Sequence, residues 1–269
     1  MKNLFLFLFL LVVFTSKAQD NRVSGLNSRQ FTKYWKVESE SPDYKVTFQG
    51  DTAEIVSPKG LTLWRKEKMS GKVTIEYDAC VVVESDGDRL SDLNCFWMAS
   101  DPQYPDNLWK REKWRSGIFL NCYSLQLYYL GYGGNHNSTT RFRRYDGDES
   151  GITNPKARPA ILKEYTDAGH LLKPNHWYHI KITNENNRVS YYIDGERLVD
   201  FRDAEPLREG WFGFRTTLSR TRITNFSYEC SSQEAAVVPL QWIGETPRQD
   251  KAVSFGVPFD KGEVFPENK

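Results

Sequence analysis

Residues Tyr128 to Gly147 hold the chain's densest set of groups able to bind an anion or move a proton. The run Tyr128-Tyr129-Leu130-Gly131-Tyr132-Gly133-Gly134-Asn135-His136-Asn137 leads directly into Ser138-Thr139-Thr140-Arg141-Phe142-Arg143-Arg144-Tyr145. Glycines at 131, 133 and 134 let the main chain approach a ligand closely. If residues 139–145 form a strand, Arg141, Arg143 and Tyr145 share one face. Two adjacent guanidiniums repel unless an anion or carboxylates compensate, and arginine matches a carboxylate or sulfate with paired hydrogen bonds. Asp146, Asp148 and Glu149 offer the other compensation, a solvated network of surface ion pairs.

These residue types suit β-elimination on a uronate. A cation or amide neutralises the sugar carboxylate and acidifies the C5 proton, a base removes that proton, and an acid protonates the leaving oxygen. Arg141, Arg143 and Asn135 would hold the carboxylate, and His136, Tyr132 or Tyr128 would transfer protons. His170, His176 and His179 read as structural or incidental. The competing reading is a carbohydrate-binding module without catalysis. Trp109, Trp114 and Tyr132 would stack on sugar CH faces beside the arginines, with Asn94 among the binding groups. A third reading is a structural domain whose partner enzyme is separate. Retaining hydrolysis needs two close carboxylates. Glu76-Tyr77-Asp78-Ala79-Cys80-Val81 fits the first two acids of the usual Glu-x-Asp-x-x-Glu strand motif but has Val81 where the third belongs, which speaks against that mechanism.

The elements that must position these groups read as strands. Residues 73–83 alternate apolar and polar, as do 177–183, 188–194 and 222–230, the period of a half-buried strand. Asn184-Glu185-Asn186-Asn187 and Asp194-Gly195 separate such runs as hairpin turns. After the first residues no apolar stripe of helical period persists for a dozen positions. The expected class is all-β, a sandwich.

Trp177-Tyr178-His179-Ile180-Lys181-Ile182, followed by Val189-Ser190-Tyr191-Tyr192-Ile193-Asp194-Gly195, resembles the late strands of concanavalin-A-like jelly rolls. That resemblance implies two curved antiparallel sheets and a groove that often binds sugar; it carries no chemistry by itself. The run from Tyr128 to Tyr145, together with Gly210-Trp211-Phe212-Gly213-Phe214-Arg215-Thr216, resembles an uncharacterised family from polysaccharide-degradation loci of Bacteroidetes and some fungi, over roughly residues 30–230. Gln241-Trp242-Ile243-Gly244-Glu245 and Ser254-Phe255-Gly256-Val257-Pro258 resemble the opening of rhamnogalacturonan exolyase-like proteins. This implies rhamnose- and uronate-containing substrates of the ulvan or rhamnogalacturonan type.

Met1-Lys2-Asn3, the apolar run 4–14 and the small, polar ending Thr15-Ser16-Lys17-Ala18-Gln19 have the layout of a secretory signal, and the run is too short to span a bilayer. The expected organisation is a signal at 1–19, a jelly roll at 20–232 and a tail at 233–269. The expected location is periplasmic or secreted. There Cys80, Cys95, Cys122 and Cys230 either pair, in one of three ways, or stay small core thiols. The chain holds 36 basic and 35 acidic residues. That balance argues against nucleic acid as a partner. No transmembrane segment and no required cofactor are expected. A structural calcium at Asp86-Gly87-Asp88 is the metal option, against a plain solvated turn. The expectation is thus a monomeric exported protein acting on acidic polysaccharide, with a lyase placed narrowly ahead of a binding module.

Overall fold

The computed structural model describes residues 22–231, so the signal at 1–19 and the tail at 233–269 lie outside the described residues. In chain order the strands are β1 (Val23–Ser24), β2 (Trp35–Ser39), β3 (Lys45–Gln49), β4 (Thr52–Arg65), β5 (Met69–Ser70), β6 (Lys72–Val81) and β7 (Leu93–Ser100). They continue with β8 (Gln126–Gly133), β9 (Thr139–Asp146), β10 (Lys163–Tyr165), β11 (Tyr178–Glu185), β12 (Arg188–Ile193), β13 (Glu196–Arg202) and β14 (Glu209–Ser231). The described helices are short turns, the longest five residues. All-β is therefore the fold class.

The strands form one continuous antiparallel sheet that bends into two halves. The bend lies in the two longest strands, β4 and β14. Thr217 pairs with Gly60 and Ser219 pairs with Ser57, so the register breaks at Leu218, whose φ is 49°, opposite Pro58 and Lys59. Proline has no N–H to give a ladder and belongs at such a break. One half-sheet runs β10-β9-β8-β7, then residues 209–217 of β14, the end of β4, and β2. The other runs β13-β12-β11-β6, then residues 219–231 of β14, the start of β4, and β3.

Alternation explains why the halves close on each other. In β6, Val73, Ile75, Tyr77 and Ala79 are buried while Lys72, Thr74, Glu76 and Asp78 are half-exposed. These side chains meet those of the opposite half: Tyr77 stands edge-on to Phe214 at 4.8 Å, Trp97 lies 6.1 Å from Tyr191, and Tyr132 stands edge-on to Tyr178 at 5.1 Å. Asp194 (φ 50°) and Gly195 (φ 83°) make the β12–β13 turn with both residues left-handed, the geometry that matches strand twist.

Residues 101–125 form a second layer over one end of the outer face of the first half-sheet. Leu108, Cys122 and Leu125 of this cap pack on Trp64, Phe96 and Trp211. Arg115, fully buried, anchors it: its guanidinium bonds the buried Glu38 carboxylate at 3.0 Å and lies 3.7 Å from Asp101. Asp101 also takes two hydrogen bonds from Arg111, at 2.7 and 2.9 Å. The remainder of that outer face stays open.

Candidate functional site

The open part of that face is a groove of about 460 Å³. Its floor is built from outward-pointing positions of four strands: Asn94 of β7, Tyr129 and Gly131 of β8, Arg141, Arg143 and Tyr145 of β9, and Arg215 of β14. A side chain at Gly131 would collide with the Tyr129 hydroxyl, so glycine keeps the floor open there. Phe119, Leu120 and Tyr123 of the cap form one wall.

Five arginines line the groove: Arg89, Arg141, Arg143, Arg158 and Arg215. Arg141 is paired with Glu164, Arg89 lies 3.5 Å from Asp92, and Arg215 lies 4.0 Å from Glu40. Arg143 and Arg158 differ. Arg143 donates to the carbonyl of Pro159 and Arg158 to that of Gly151 at 3.3 Å, and among the described residues neither has a carboxylate within 4 Å. Asp146, Asp148 and Glu149 do not neutralise Arg141 and Arg143. Asp148 bonds Ser150, and Glu149 binds Arg111 of the cap.

The opposite parity of β8 takes two expected proton carriers away from the groove. Tyr128 is fully buried in the core, its hydroxyl donating to Asp203 at 2.6 Å and accepting from the Leu207 N–H at 3.1 Å. Tyr132 points to the same side, its hydroxyl donating to the Leu171 carbonyl at 3.2 Å. Burial pushes both phenols well above their ordinary range. The groove's own phenols, Tyr123, Tyr129 and Tyr145, are raised as well, first by desolvation; Arg158 and Arg143 pull Tyr123 only partly back. The two tryptophans expected to stack on sugar, Trp109 and Trp114, also lie elsewhere. Trp109 packs edge-on against Trp211 at 6.1 Å, and Trp114 sits on the cap surface under Arg111 at 4.9 Å. Glu76 and Asp78 occupy the second half-sheet, bound to Lys181 at 3.3 Å and His179 at 2.8 Å.

Asn135 and His136 do reach the groove, on a strained turn. Asn135, His136 and Asn137 have φ of 51°, 57° and 57°, three successive left-handed residues without a glycine. Such positions cost about 1–3 kcal/mol each and persist where surroundings over-determine them. Asn137 supplies that restraint: its amide donates to the Leu172 carbonyl at 2.9 Å and accepts from the Leu172 N–H at 2.8 Å. The exposed His136 ring has no hydrogen-bond partner among the described residues. Asn94 donates to Asp92 at 2.9 Å, and its own carbonyl oxygen is buried without a partner.

Arg89, Arg158, Arg215, Asp92 and Tyr123 belong to this site and were not singled out from sequence. Only Arg215 had a legible signal, a charge on the face opposite Phe212 and Phe214 in an apolar strand.

Residues 55–226, which hold every strand of the groove floor, match the family described as "Domain of unknown function (DUF6250)". The chain belongs to the DUF6250 family. No curated protein matches this DUF6250 chain by sequence. Among solved structures it is similar to a Bacillus subtilis protein of unknown function with a galectin-like fold, at 16% identity and TM-score 0.61, covering 79% of this chain and 96% of that one. It is similar to the exoplasmic/lumenal domain of VIP36 in its Ca2+/Man3GlcNAc-bound form, at 9% identity and TM-score 0.52, covering 80% and 90%. It is also similar to the metal-free carbohydrate recognition domain of Emp46p, at 12% identity and TM-score 0.51, covering 76% and 92%. These likenesses establish the galectin-like jelly-roll fold for the DUF6250 domain.

The calcium option of the sequence falls on the turn at Asp86-Gly87-Asp88. One Asp88 oxygen accepts from the N–H groups of Glu84, at 2.7 Å, and Ser85, at 3.0 Å, which makes Asp86-Gly87-Asp88 a capped turn. Among the described residues no three His, Cys, Asp or Glu side chains are grouped to hold an ion.

Proposed function

We propose that this protein binds an acidic glycan in the arginine groove. The observation that carries this reading is the pair Arg143 and Arg158, held in place by main-chain carbonyls and lacking any described carboxylate within 4 Å. A uronate carboxylate or a sulfate ester supplies the missing charge with charge-assisted hydrogen bonds. Asp92 and the orphan oxygen of Asn94 then accept sugar hydroxyls. The carbohydrate recognition domain of Emp46p and the glycan-bound form of VIP36, which share the fold, support a sugar as the ligand. Within that class we favour rhamnose- and uronate-containing polysaccharide of the ulvan or rhamnogalacturonan type, bound by an exported monomer.

A uronate lyase is the second reading, and the unpartnered His136 ring beside Arg141 and Asn135 favours it. His136 would take the C5 proton while the C4–O bond breaks, a C4–C5 double bond forms and an acid protonates the leaving oxygen. It stands behind binding because every groove phenol is raised rather than activated.

Affinity electrophoresis in gels holding polygalacturonate, ulvan, dextran sulfate or neutral dextran tests the first reading, with ultraviolet absorbance of an unsaturated uronate following the second. Retardation by acidic gels only, without absorbance, establishes binding. An absorbance rise lost in His136→Ala establishes elimination. Equal migration in every gel, with no absorbance, sinks both.

A further inference from the structure

The outer face of the other half-sheet carries a second concavity, of about 620 Å³, over β6, β11, β12, β13 and the end of β14. Its chemistry follows from the β12–β13 ladder. Arg188 and Arg202 are direct cross-strand partners, Ser190 faces Asp200, and Tyr192 faces Arg197. All six point away from the core, because Val189, Tyr191 and Ile193 of β12 fill it. Like charges placed directly opposite in an antiparallel pair destabilise it. Here two guanidiniums share one carboxylate: Asp200 accepts from Arg188 at 2.6 and 2.7 Å and lies 3.2 Å from Arg197. Arg202 has no carboxylate within 4 Å among the described residues. The other charges facing the concavity are Lys72, paired with Glu185, and Glu229. The Asp200 carboxyl is held below its usual range, first by the Arg188 hydrogen bonds and then by the charges of Arg188, Arg197 and Arg202. Tyr192, half-exposed, stands level with Arg197, and the Ser190–Asp200 rung separates it from the Arg188–Arg202 pair along the same face.

We infer that this face is a second anion-binding site, in which Arg188 and Arg202 bind a carboxylate or sulfate of an acidic glycan and Tyr192 stacks on a further sugar ring of the same glycan. A planar aromatic beside a fork of arginines suits a charged sugar better than a free anion, since only a sugar uses the ring. With the groove on the opposite half-sheet, the chain is bivalent and can join two polysaccharide strands or grip one strand twice. The ligand class rests on the proposed function; the site itself rests on the ladder.

The test is calorimetric titration of the full chain with oligogalacturonate, sulfated dextran oligosaccharide and inorganic sulfate. The proteins are the wild type, Arg143→Ala/Arg158→Ala, Arg202→Glu and Tyr192→Ala. Arg202→Glu removes the like-charge clash, so it unfolds no earlier than the wild type, and its loss of binding is not a loss of fold. The wild type binds two oligosaccharides per chain. Arg202→Glu binds one, Tyr192→Ala loses at least tenfold affinity at one of the two sites, and the groove variant keeps the Tyr192-dependent site. Two sites persisting in Arg202→Glu overturn the proposal, as does a single site in the wild type that is lost with Arg143 and Arg158. A single site lost only in Arg202→Glu upholds this face and overturns the groove instead. Inorganic sulfate binding as tightly as the oligosaccharides, with no effect of Tyr192→Ala, overturns the sugar assignment.

Discussion

Asn137 holds Leu172 by both main-chain groups, donating to its carbonyl at 2.9 Å and accepting from its N–H at 2.8 Å. A side-chain amide thus acts as one rung of a sheet and locks the left-handed turn that carries His136 into the groove. Asn137→Ala loses both bonds and is expected to cost about 1–3 kcal/mol in urea unfolding. Asn137→Gly relieves the backbone strain but still lacks the clamp. In both variants affinity for acidic oligosaccharide falls while the pair Arg143 and Arg158 is untouched. Unchanged affinity in Asn137→Gly would show that the turn takes no part in binding.

The buried pair Arg115 and Glu38 should dominate the stability of the cap. Glu38→Ala leaves the Arg115 charge buried without its main partner, and breaking such a pair costs about 3–5 kcal/mol. Urea unfolding followed by tryptophan fluorescence measures it. A loss under 1 kcal/mol would mean that Asp101, 3.7 Å from Arg115, compensates alone.

Acid should destabilise the fold through Glu54 and Glu67. Desolvation raises each carboxyl, but hydrogen bonds outweigh it, from Arg220 and Arg222 for Glu54 and from Tyr228 and Arg65 for Glu67, so both lie below the ordinary 4.5. Their folded-state affinity for protons is the weaker one. The stability they contribute is therefore whole above pH 4.5 and is lost as pH falls through the lowered values. Denaturation midpoints measured from pH 7 to pH 3 should hold level and then drop, and Glu54→Gln should flatten the drop. A curve for Glu54→Gln parallel to that of the wild type would remove Glu54 from the account.

Cys80, Cys95, Cys122 and Cys230 are free thiols in the structure, which decides between the two states their number allowed. Burial pushes Cys95 and Cys122 up to about 12, so neither forms a reactive thiolate at neutral pH. Native protein should label slowly, at the half-buried Cys230 first, and denatured protein should label at all four. Fewer than four thiols after denaturation without reductant would reveal a disulfide.

The strands were legible where one face is buried. The alternation of residues 73–81 and the Asp194-Gly195 turn appear in the structure as β6 and the β12–β13 hairpin. The single strand β14 was not legible, because its break at Leu218 reverses the alternation and makes 210–216 and 222–230 read as separate runs. The same limit governs the site. Arg141, Arg143, Asn135, His136 and Asn94 come together, while Tyr128 and Tyr132 face the core and Tyr129, the cross-strand partner of Arg143, faces the groove. Parity depends on register, which local sequence does not fix. Arg158 comes from a loop without any period, so only the folded chain brings it near Arg143.

Under the proposed function, the uncompensated charges of Arg143 and Arg158 select an acidic glycan. Calorimetric titration of the wild type and of Arg143→Ala/Arg158→Ala with oligogalacturonate, at two salt concentrations, tests it most directly. The double variant should lose at least a hundredfold in affinity at the groove, and its remaining binding should depend less on salt. Groove affinity within threefold of the wild type, with an unchanged salt dependence, would contradict it.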